Sequence, residues 1–258
     1  MLTRRVVNPI ALLLLLTLTT LAFFYTIPWW TYTLVVLSWL LITLCGSFFV
    51  GWDYHLKSLH KNKKSSGNWL SITFDDGPNL EFTPRVLKLL KKQDAKATFF
   101  CIGKHVENHP EILMQILADG HTVGNHTYSH SNSFGFFGFE KVKAELQRTK
   151  SLVNTFTGLK MNLYRPAFGV TNPQIEKAVI DLGLQSIGWS VRSLDTTPRS
   201  TNSVLDRITS KVSKGDIILL HDTSEKTIAV LERLLVFMQE KNLESVPVER
   251  LLEIEAYE

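Results

Sequence analysis

The sequence of residues 69–78 is WLSITFDDGP. Its first five residues form a short apolar run typical of a buried strand, and two aspartates and a Gly-Pro pair come soon after. From this stretch to the C-terminus, short apolar runs alternate with longer amphipathic ones. Sustained alternation of strand and helix predicts an α/β fold with a parallel sheet or a barrel.

The pattern predicts seven strands, at residues 69–73, 97–102, 121–124, 161–165, 186–190, 217–221 and 244–248. It predicts helices at residues 83–92, 110–118, 141–156, 174–182, 203–212 and 226–241. In such folds the residues that act on a ligand lie beyond the carboxyl ends of the strands, because the strand-to-helix loops gather there. The polar side chains at those ends are therefore the candidate functional residues.

The N-terminal fifth of the chain has a different character. Residues 6–27 and 29–50 are two runs of 22 residues without a charged side chain, separated by Pro28. Each would form a helix of about 33 Å, enough to cross a hydrocarbon core of about 30 Å. They predict a transmembrane hairpin within residues 1–52, a juxtamembrane linker at 53–68 and a folded domain at 69–258. A cleaved signal peptide and a pair of soluble core helices are the alternatives.

The charges of this 258-residue chain, 45% hydrophobic with a net charge of +4, are unevenly placed. Residues 1–64 hold six basic residues and one acidic residue, and the rest holds 22 basic and 23 acidic. A near-neutral domain lacks the basic stripe of a nucleic-acid binder, so we expect no nucleic-acid partner. Because the basic residues flank the apolar runs, the positive-inside rule places both ends of the hairpin in the cytoplasm.

One carboxylate and two imidazoles form a candidate metal site. Asp76 follows the first predicted strand, and His126 and His130 are four residues apart, so that one helical turn could aim both imidazoles at a common point. Three protein ligands would leave a divalent ion open to water and substrate. Asp75 cannot point the same way as its neighbour, so it can serve as a base. The simpler interpretation of an Asp-Asp-Gly sequence is a solvated turn.

Five ordered motifs carry a family resemblance: TFDDGP at 73–78, HTYSH at 126–130, RPAFG at 165–169, WSVRSLD at 189–195 and LLHD at 219–222. Together they resemble NodB-type polysaccharide deacetylases, carbohydrate esterase family four, over about residues 69–250. The resemblance implies a distorted (β/α) barrel preceded by the hairpin. It also implies a hydrolase that removes N-acetyl groups from a chitooligosaccharide, a peptidoglycan-like glycan or a lipid-linked sugar. Such an enzyme breaks amide bonds other than peptide bonds.

The resemblance also implies roles for individual residues. The catalytic set comprises Asp75 as the base, His221 as the general acid, Arg165 orienting the base and Asp195 orienting the acid. The metal ligands are Asp76, His126 and His130, with zinc as the first choice and cobalt, nickel or manganese as alternatives. The substrate-binding residues are Pro166, Trp189, Leu219 in the acetyl pocket and Phe168 through its backbone N–H. Arg192 and Thr196 depart from the family pattern, which affects the expected substrate more than the chemistry.

Other functions stay open from the sequence. The enzyme could remove O-acetyl or N-formyl groups instead. Two histidines and one carboxylate also form the facial triad of non-haem iron oxygenases, although that function leaves Asp75, Arg165 and His221 without roles. A third alternative is an inactive glycan-binding module. For location, we expect a multi-pass protein of the bacterial inner membrane. The charge rule places its catalytic domain in the cytoplasm, whereas the family's substrates would suit the outside.

Overall fold

The computed structural model describes residues 2–258, in which ten α-helices and eight strands occur. The helices are α1 (Arg4–Leu21), α2 (Trp29–Phe48), α3 (Phe82–Lys92), α4 (Gly103–Asn108), α5 (Pro110–Ala118), α6 (Phe139–Thr157), α7 (Pro173–Asp181), α8 (Thr201–Thr209), α9 (Glu225–Glu240) and α10 (Val248–Leu252). The strands are β1 (Trp69–Asp75), β2 (Ala97–Cys101), β3 (Thr122–Asn125), β4 (Leu163–Tyr164), β5 (Gln185–Ser186), β6 (Val191–Arg192), β7 (Ile217–His221) and β8 (Glu244–Ser245).

Seven strands form one parallel sheet in the order β5-β4-β3-β2-β1-β7-β6, and β8 pairs with the start of β1. β5 and β6 lie at opposite edges of this sheet, yet only residues 187–190 separate them in the chain. Those residues can span about 18 Å, whereas seven flat strands would be about 29 Å wide. The sheet therefore curls into an open barrel, which confirms the predicted fold class.

Both faces of the curled sheet are apolar, as a parallel sheet covered on both sides requires. On the outer face, Phe99 of β2 stacks on Phe74 of β1 with ring centroids 5.0 Å apart, and both belong to the core shared with α3 and α9. On the inner face, Phe100 of β2 packs with Leu163 and Ile217. The alternation along β2 thus separates an outer core from the barrel interior.

A buried arginine joins the middle of the sheet to its open edge. Arg165 follows β4, and its side chain is fully buried. The guanidinium donates to Thr73 and Asp75 of β1 at 2.6 and 2.8 Å. It also donates to the carbonyls of Ile187 and Gly188, in the segment between β5 and β6, at 3.2 and 2.9 Å. These four bonds hold the barrel interior to the segment that separates the two sheet edges.

Three differences from the predicted elements have local causes. The predicted strand at 186–190 is interrupted between β5 and β6, because the carbonyls of Ile187 and Gly188 bond to Arg165 rather than to a neighbouring strand. The strand predicted at 244–248 ends at Ser245, since Pro247 has no N–H for a ladder and α10 begins directly after it. The sequence pattern does not predict the short helix α4 after β2.

Residues 58–62, within the segment predicted as a linker, lie along the open side of the barrel. Leu59 pairs in parallel with Ile187, its N–H donating to the carbonyl of Ser186 at 2.9 Å and its carbonyl accepting from the N–H of Gly188 at 2.8 Å. Lys61 forms an antiparallel bridge with Asp216, just before β7. This segment thus pairs with the backbone of Ser186 and Gly188, at the end of β5 and just beyond it.

The two N-terminal helices extend away from the barrel, and Val7 and Gly46 are their buried residues. Both are long and apolar enough to cross a membrane, with mean hydropathies of 1.4 and 1.7 over 18 residues. The N–H of Arg4 donates to the carbonyl of Tyr54 at 2.9 Å, so the start of α1 lies beside the segment that follows α2. Length and apolar composition are shared by membrane anchors and signal sequences.

We expect Arg165→Met to lower the free energy of unfolding by about 3–5 kcal/mol, because the Asp75 carboxylate would stay buried without its cation. Arg85→Met is the matched control and should lower it far less, since Arg85 forms a solvent-exposed ion pair with Glu225. Urea unfolding of the detergent-solubilised protein measures both values. Adding Asp75→Leu to Arg165→Met should restore part of the loss. Equal losses in the two single variants would contradict the structural role of Arg165.

Candidate active site

The two aspartates at the end of β1 face different environments. Asp75 is the last residue of β1 and is buried, 3% exposed. Asp76 has a φ of 71°, in the left-handed region, so the chain turns and its carboxylate leaves the direction of its neighbour. Gly77 follows because there is no room for a side chain: a Cβ there would lie 2.5 Å from a carboxylate oxygen of Asp222.

The two histidines after β3 converge on Asp76. The Nδ1–H of His126 donates to the carbonyl of Arg165 at 3.0 Å, which leaves its Nε2 with a free lone pair. Nε2 of His126 lies 3.5 Å from Oδ1 of Asp76, and Nε2 of His130 lies 3.4 Å from the same oxygen. The expected helical turn between the histidines is wrong: the segment is a loop, with positive φ at Thr127 and His130.

These three side chains fit a divalent ion. Their ligand atoms all lie within 4.8 Å of one another, and they are the one cluster of this kind that residues 2–258 contain. Oδ1 of Asp76 is buried and has no hydrogen-bond partner. Burial and the nearby His126 lower the pKa of His130 to about 4. At neutral pH the site therefore presents a neutral His130 imidazole, the form that coordinates a metal.

The two carboxylates of the site have different neighbours. Burial would raise the pKa of Asp76, but the facing imidazoles of His126 and His130 and the cation of His221 hold it well below its usual range. Asp75 receives its hydrogen bond from Arg165 at 2.8 Å, and its second oxygen lies 3.8 Å from Nε2 of His126. The site thus has one carboxylate beside the histidines and a second one held by a buried cation.

Opposite this carboxylate lies a second pair, at the end of β7. Nδ1–H of His221 donates to Oδ1 of Asp195 at 2.8 Å, and the His221 backbone N–H donates to Oδ2 at 2.8 Å. Hydroxyls of Ser193 and Thr227 donate to the same carboxylate, both at 2.9 Å. Burial lowers the pKa of His221, but the hydrogen bond and charge of Asp195 outweigh it and raise the pKa to about 9. His221 is therefore protonated at neutral pH.

A cavity of about 220 Å³ brings these groups together. Its lining contains every predicted metal ligand and substrate-binding residue, together with Asp75 and His221: Asp75, Asp76, His126, His130, Pro166, Phe168, Gly169, Trp189, Arg192, Thr196, Leu219 and His221. The ring of Phe168, itself at a φ of 57°, lies 4.3 Å from that of His130. A larger cavity of about 540 Å³, between the start of α1, residues 53–57 and α7, contains none of the three clustered ligands.

Sequence reasoning missed three residues that support the site. Ser193 and Thr227 complete the hydrogen bonds to Asp195, and Nδ1 of His105 bonds to the Asp76 carbonyl at 2.8 Å, beside the left-handed turn. Ser193 lies inside one of the five motifs, so its position was a signal. Thr227 lies in a predicted helix and His105 in a segment without a predicted element, and nothing in the sequence distinguishes either from an ordinary residue.

Comparisons with known proteins place this chain in a family. The model of the polysaccharide deacetylase family matches residues 62–187. A peptidoglycan-N-acetylglucosamine deacetylase of Bacillus cereus is 34% identical over 191 residues, covering 71% of this chain and 87% of the relative. The chain belongs to the polysaccharide deacetylase family. The resemblance carried by the five motifs is therefore confirmed.

Other members of the family give the same fold and a longer architecture. The solved structure of the Bc1960 peptidoglycan N-acetylglucosamine deacetylase superposes with a TM-score of 0.72 at 27% identity, covering 78% of this chain and 94% of that one. A second Bacillus cereus protein named peptidoglycan-N-acetylglucosamine deacetylase is 33% identical over 154 residues. The chain spans 56% of that relative's length.

We expect the ring of His221 in the metal-free protein to titrate near pH 9. Asp195→Asn should move the titration toward the ordinary histidine pKa of about 6.5, and Asp206→Asn, on the exposed side of α8, should leave it in place. NMR of ring-labelled histidine measures all three. Because the pKa is raised in the folded state, the pair stabilises the protein fully below about pH 6.5 and loses that effect as the pH rises through 9. A wild-type value near 6.5 would contradict this arrangement.

Proposed function

We propose that this protein is a metal-dependent hydrolase that removes N-acetyl groups from an amino-sugar glycan or a lipid-linked sugar. One observation carries the proposal: a metal-ligand cluster, a carboxylate and a protonated histidine all line the same cavity. Hydrolysis of an amide needs an activated water, a polarised carbonyl and a proton for the departing nitrogen. The names and the fold of the family members support the same reaction.

The metal ligands in this proposal are Asp76, His126 and His130, with zinc as the first choice and cobalt, nickel or manganese as alternatives. When bound, the ion supplies a Lewis acid that polarises the acyl oxygen and lowers the pKa of a coordinated water. The bond from Nδ1 of His126 to the Arg165 carbonyl fixes the tautomer whose Nε2 can coordinate.

Asp75 is the proposed base. Its carboxylate is buried and lies beside the metal ligands, 3.8 Å from Nε2 of His126, so it can accept a proton from a water held there. Arg165 donates to one of its oxygens and leaves the second one facing the cavity.

His221 is the proposed general acid. It is protonated at neutral pH, and its bond to Asp195 directs Nδ1–H away from the cavity, so Nε2–H is the proton available to the departing nitrogen. An amine leaves readily only when it is protonated, which favours an N-acetyl over an O-acetyl substrate. In the same proposal, the backbone N–H of Phe168 donates to the developing oxyanion, Leu219 lines the acetyl pocket, and Pro166 and Trp189 contact the sugar.

Neither an iron oxygenase nor an inactive glycan-binding module would use every group of the site. An iron oxygenase would use the three metal ligands but would have no use for the Asp75–Arg165 pair or for a histidine held protonated by Asp195. An inactive glycan-binding module would have no use for a proton donor and a proton acceptor on one cavity. N-formyl sugars would satisfy the same groups, and a comparison of acyl groups separates them from N-acetyl sugars.

We expect Asp75→Asn and His221→Ala each to keep the metal and to lower acetate release by about 10²–10⁴-fold, the usual contribution of a general base or acid. Asp76→Ala should lose both the metal and the activity. Acetate release is measured on N-acetylglucosamine oligomers and polyprenyl-linked N-acetylated sugars, with and without chelator, and metal content by elemental analysis. Asp206→Asn on α8 is the control and should behave as the wild type. Full activity of Asp75→Asn would show that the base is another group.

We also propose that residues 1–52 form a two-span anchor in the bacterial inner membrane, that 53–68 form the connecting segment and that 69–258 form the catalytic domain. Support comes from the bond between Arg4 and Tyr54, which places the start of α1 and the end of α2 on the same side of the membrane in this proposal. The ion pair between Arg4 and Glu176 of α7, at 2.7 Å, holds that end against the catalytic domain. The positive-inside rule assigns that side to the cytoplasm.

We expect reporter fusions after residue 258 to place the catalytic domain in the cytoplasm. A green fluorescent protein fusion should then fluoresce, and an alkaline phosphatase fusion should be inactive, because the phosphatase folds only outside the inner membrane. Fusions after residue 27 should give the opposite pattern. An active phosphatase after residue 258 would overturn the orientation and favour a cell-wall polymer as substrate.

A further inference from the structure

Arg192 is the one cation of the catalytic cavity that has no part in the proposed chemistry. It is the last residue of β6, its side chain is exposed, and it lines the cavity together with Asp75, His221 and Thr196. Within residues 2–258 its guanidinium has neither a carboxylate within 4.0 Å nor a hydrogen-bond partner, and the bond from Arg207 at 2.8 Å is accepted by its backbone carbonyl. A free guanidinium therefore faces the substrate space.

The acidic groups around the cavity cannot neutralise this charge, because each already has a partner. Asp75 is paired with Arg165, and Asp195 is paired with His221. Asp76 faces the two histidines of the candidate metal site and would be neutralised further by a bound cation. The edge of the cavity at Arg192 thus keeps a full positive charge for an incoming ligand.

The position of Arg192 relative to the reacting groups is fixed by the sheet. Arg192 pairs in register with Leu219 of β7. His221 lies two residues further along that strand, with its Cα about 7 Å from that of Leu219. The Arg192 guanidinium carbon lies 5.9 Å from the centroid of the Trp189 ring, which also lines the cavity. A substituent on the reacting sugar or on its immediate neighbour can therefore reach Arg192 while the acyl group lies between Asp75 and His221.

We propose that Arg192 binds an anionic substituent of the substrate, a carboxylate or a phosphate carried on the amino sugar or on the sugar next to it. This inference rests on the proposed deacetylase function and names the substrate class more narrowly. A guanidinium binds either anion through two parallel hydrogen bonds, and its planar face can still lie over an aromatic ring while it does so. The exposed hydroxyl of Thr196 adds a donor at the same edge.

Three substrates with different charged substituents test the proposal on the full-length protein in detergent. They are a neutral N-acetylglucosamine oligomer, the same oligomer with a lactyl ether carboxylate on O3, and an N-acetylglucosamine phosphodiester. Arg192→Gln removes the charge and Arg192→Lys keeps it. Arg199→Gln is the matched control, because Arg199 is exposed near the same loop but does not line the cavity.

We expect the wild type to prefer one of the anionic substrates, and the preferred one identifies the substituent. Arg192→Gln should reduce that preference in kcat/KM by about tenfold or more, mainly through KM, because a charge-assisted bond made equally in the ground and transition states is lost. Arg192→Lys should retain part of the preference, Arg199→Gln should retain it fully, and added salt should weaken it. An equal effect of Arg192→Gln on all three substrates would overturn the proposal, as would a wild type without preference.

Failure of the deacetylase function gives a different result from failure of the anion site. If the wild type releases acetate from none of the three, the proposed function is wrong. The Kd values of the same compounds, measured by calorimetry in Asp75→Asn with and without Arg192→Gln, then decide the role of Arg192. Binding of an anionic compound that weakens about tenfold with Arg192→Gln supports the site, and unchanged Kd values overturn it.

Discussion

The buried guanidinium of Arg165 is the constraint on which the rest of the structure depends. A cation without water must have its donors satisfied, and here they go to two residues of β1 and to two carbonyls between β5 and β6. The same side chain therefore interrupts the sheet at its edge, ties that edge to the central strand and holds Asp75 at the cavity. The contacts that close the barrel therefore also orient the candidate base.

The site separates similar groups by their surroundings. Asp75 and Asp76 are adjacent in sequence, but one is held by a buried cation and the other lies with two imidazoles. The histidines divide in the same way: burial and a neighbouring histidine lower the pKa of His130, whereas Asp195 raises that of His221. At the same pH, one cavity can thus hold a neutral imidazole, which can coordinate a metal, and a protonated imidazole, which can donate a proton. Metal-assisted amide hydrolysis needs both.

Much of this arrangement followed from the sequence because its residues sit at strand ends. The alternation of strands and helices predicted that Asp75, His126 and His221 would lie on one rim, and the cavity does bring them together. The local geometry was less accessible. The loop from His126 to His130 is not a helical turn but has positive φ angles, and its carbonyls accept hydrogen bonds from Gly103 and Lys104 of α4. His105 and Thr227 act on the site from helices, where periodicity predicts burial but not partners.

The sequence by itself determined the alternating elements, the apolar N-terminal pair and the five motifs, since these are local patterns that chain periodicity and residue type express directly. Only the tertiary structure decided where the sheet breaks, how residues 58–62 follow its open side, and that Arg192 faces the cavity without a partner. Those features depend on contacts between residues far apart in the chain. A buried charge must find its partners across the barrel, and no single segment contains both members of such a pair.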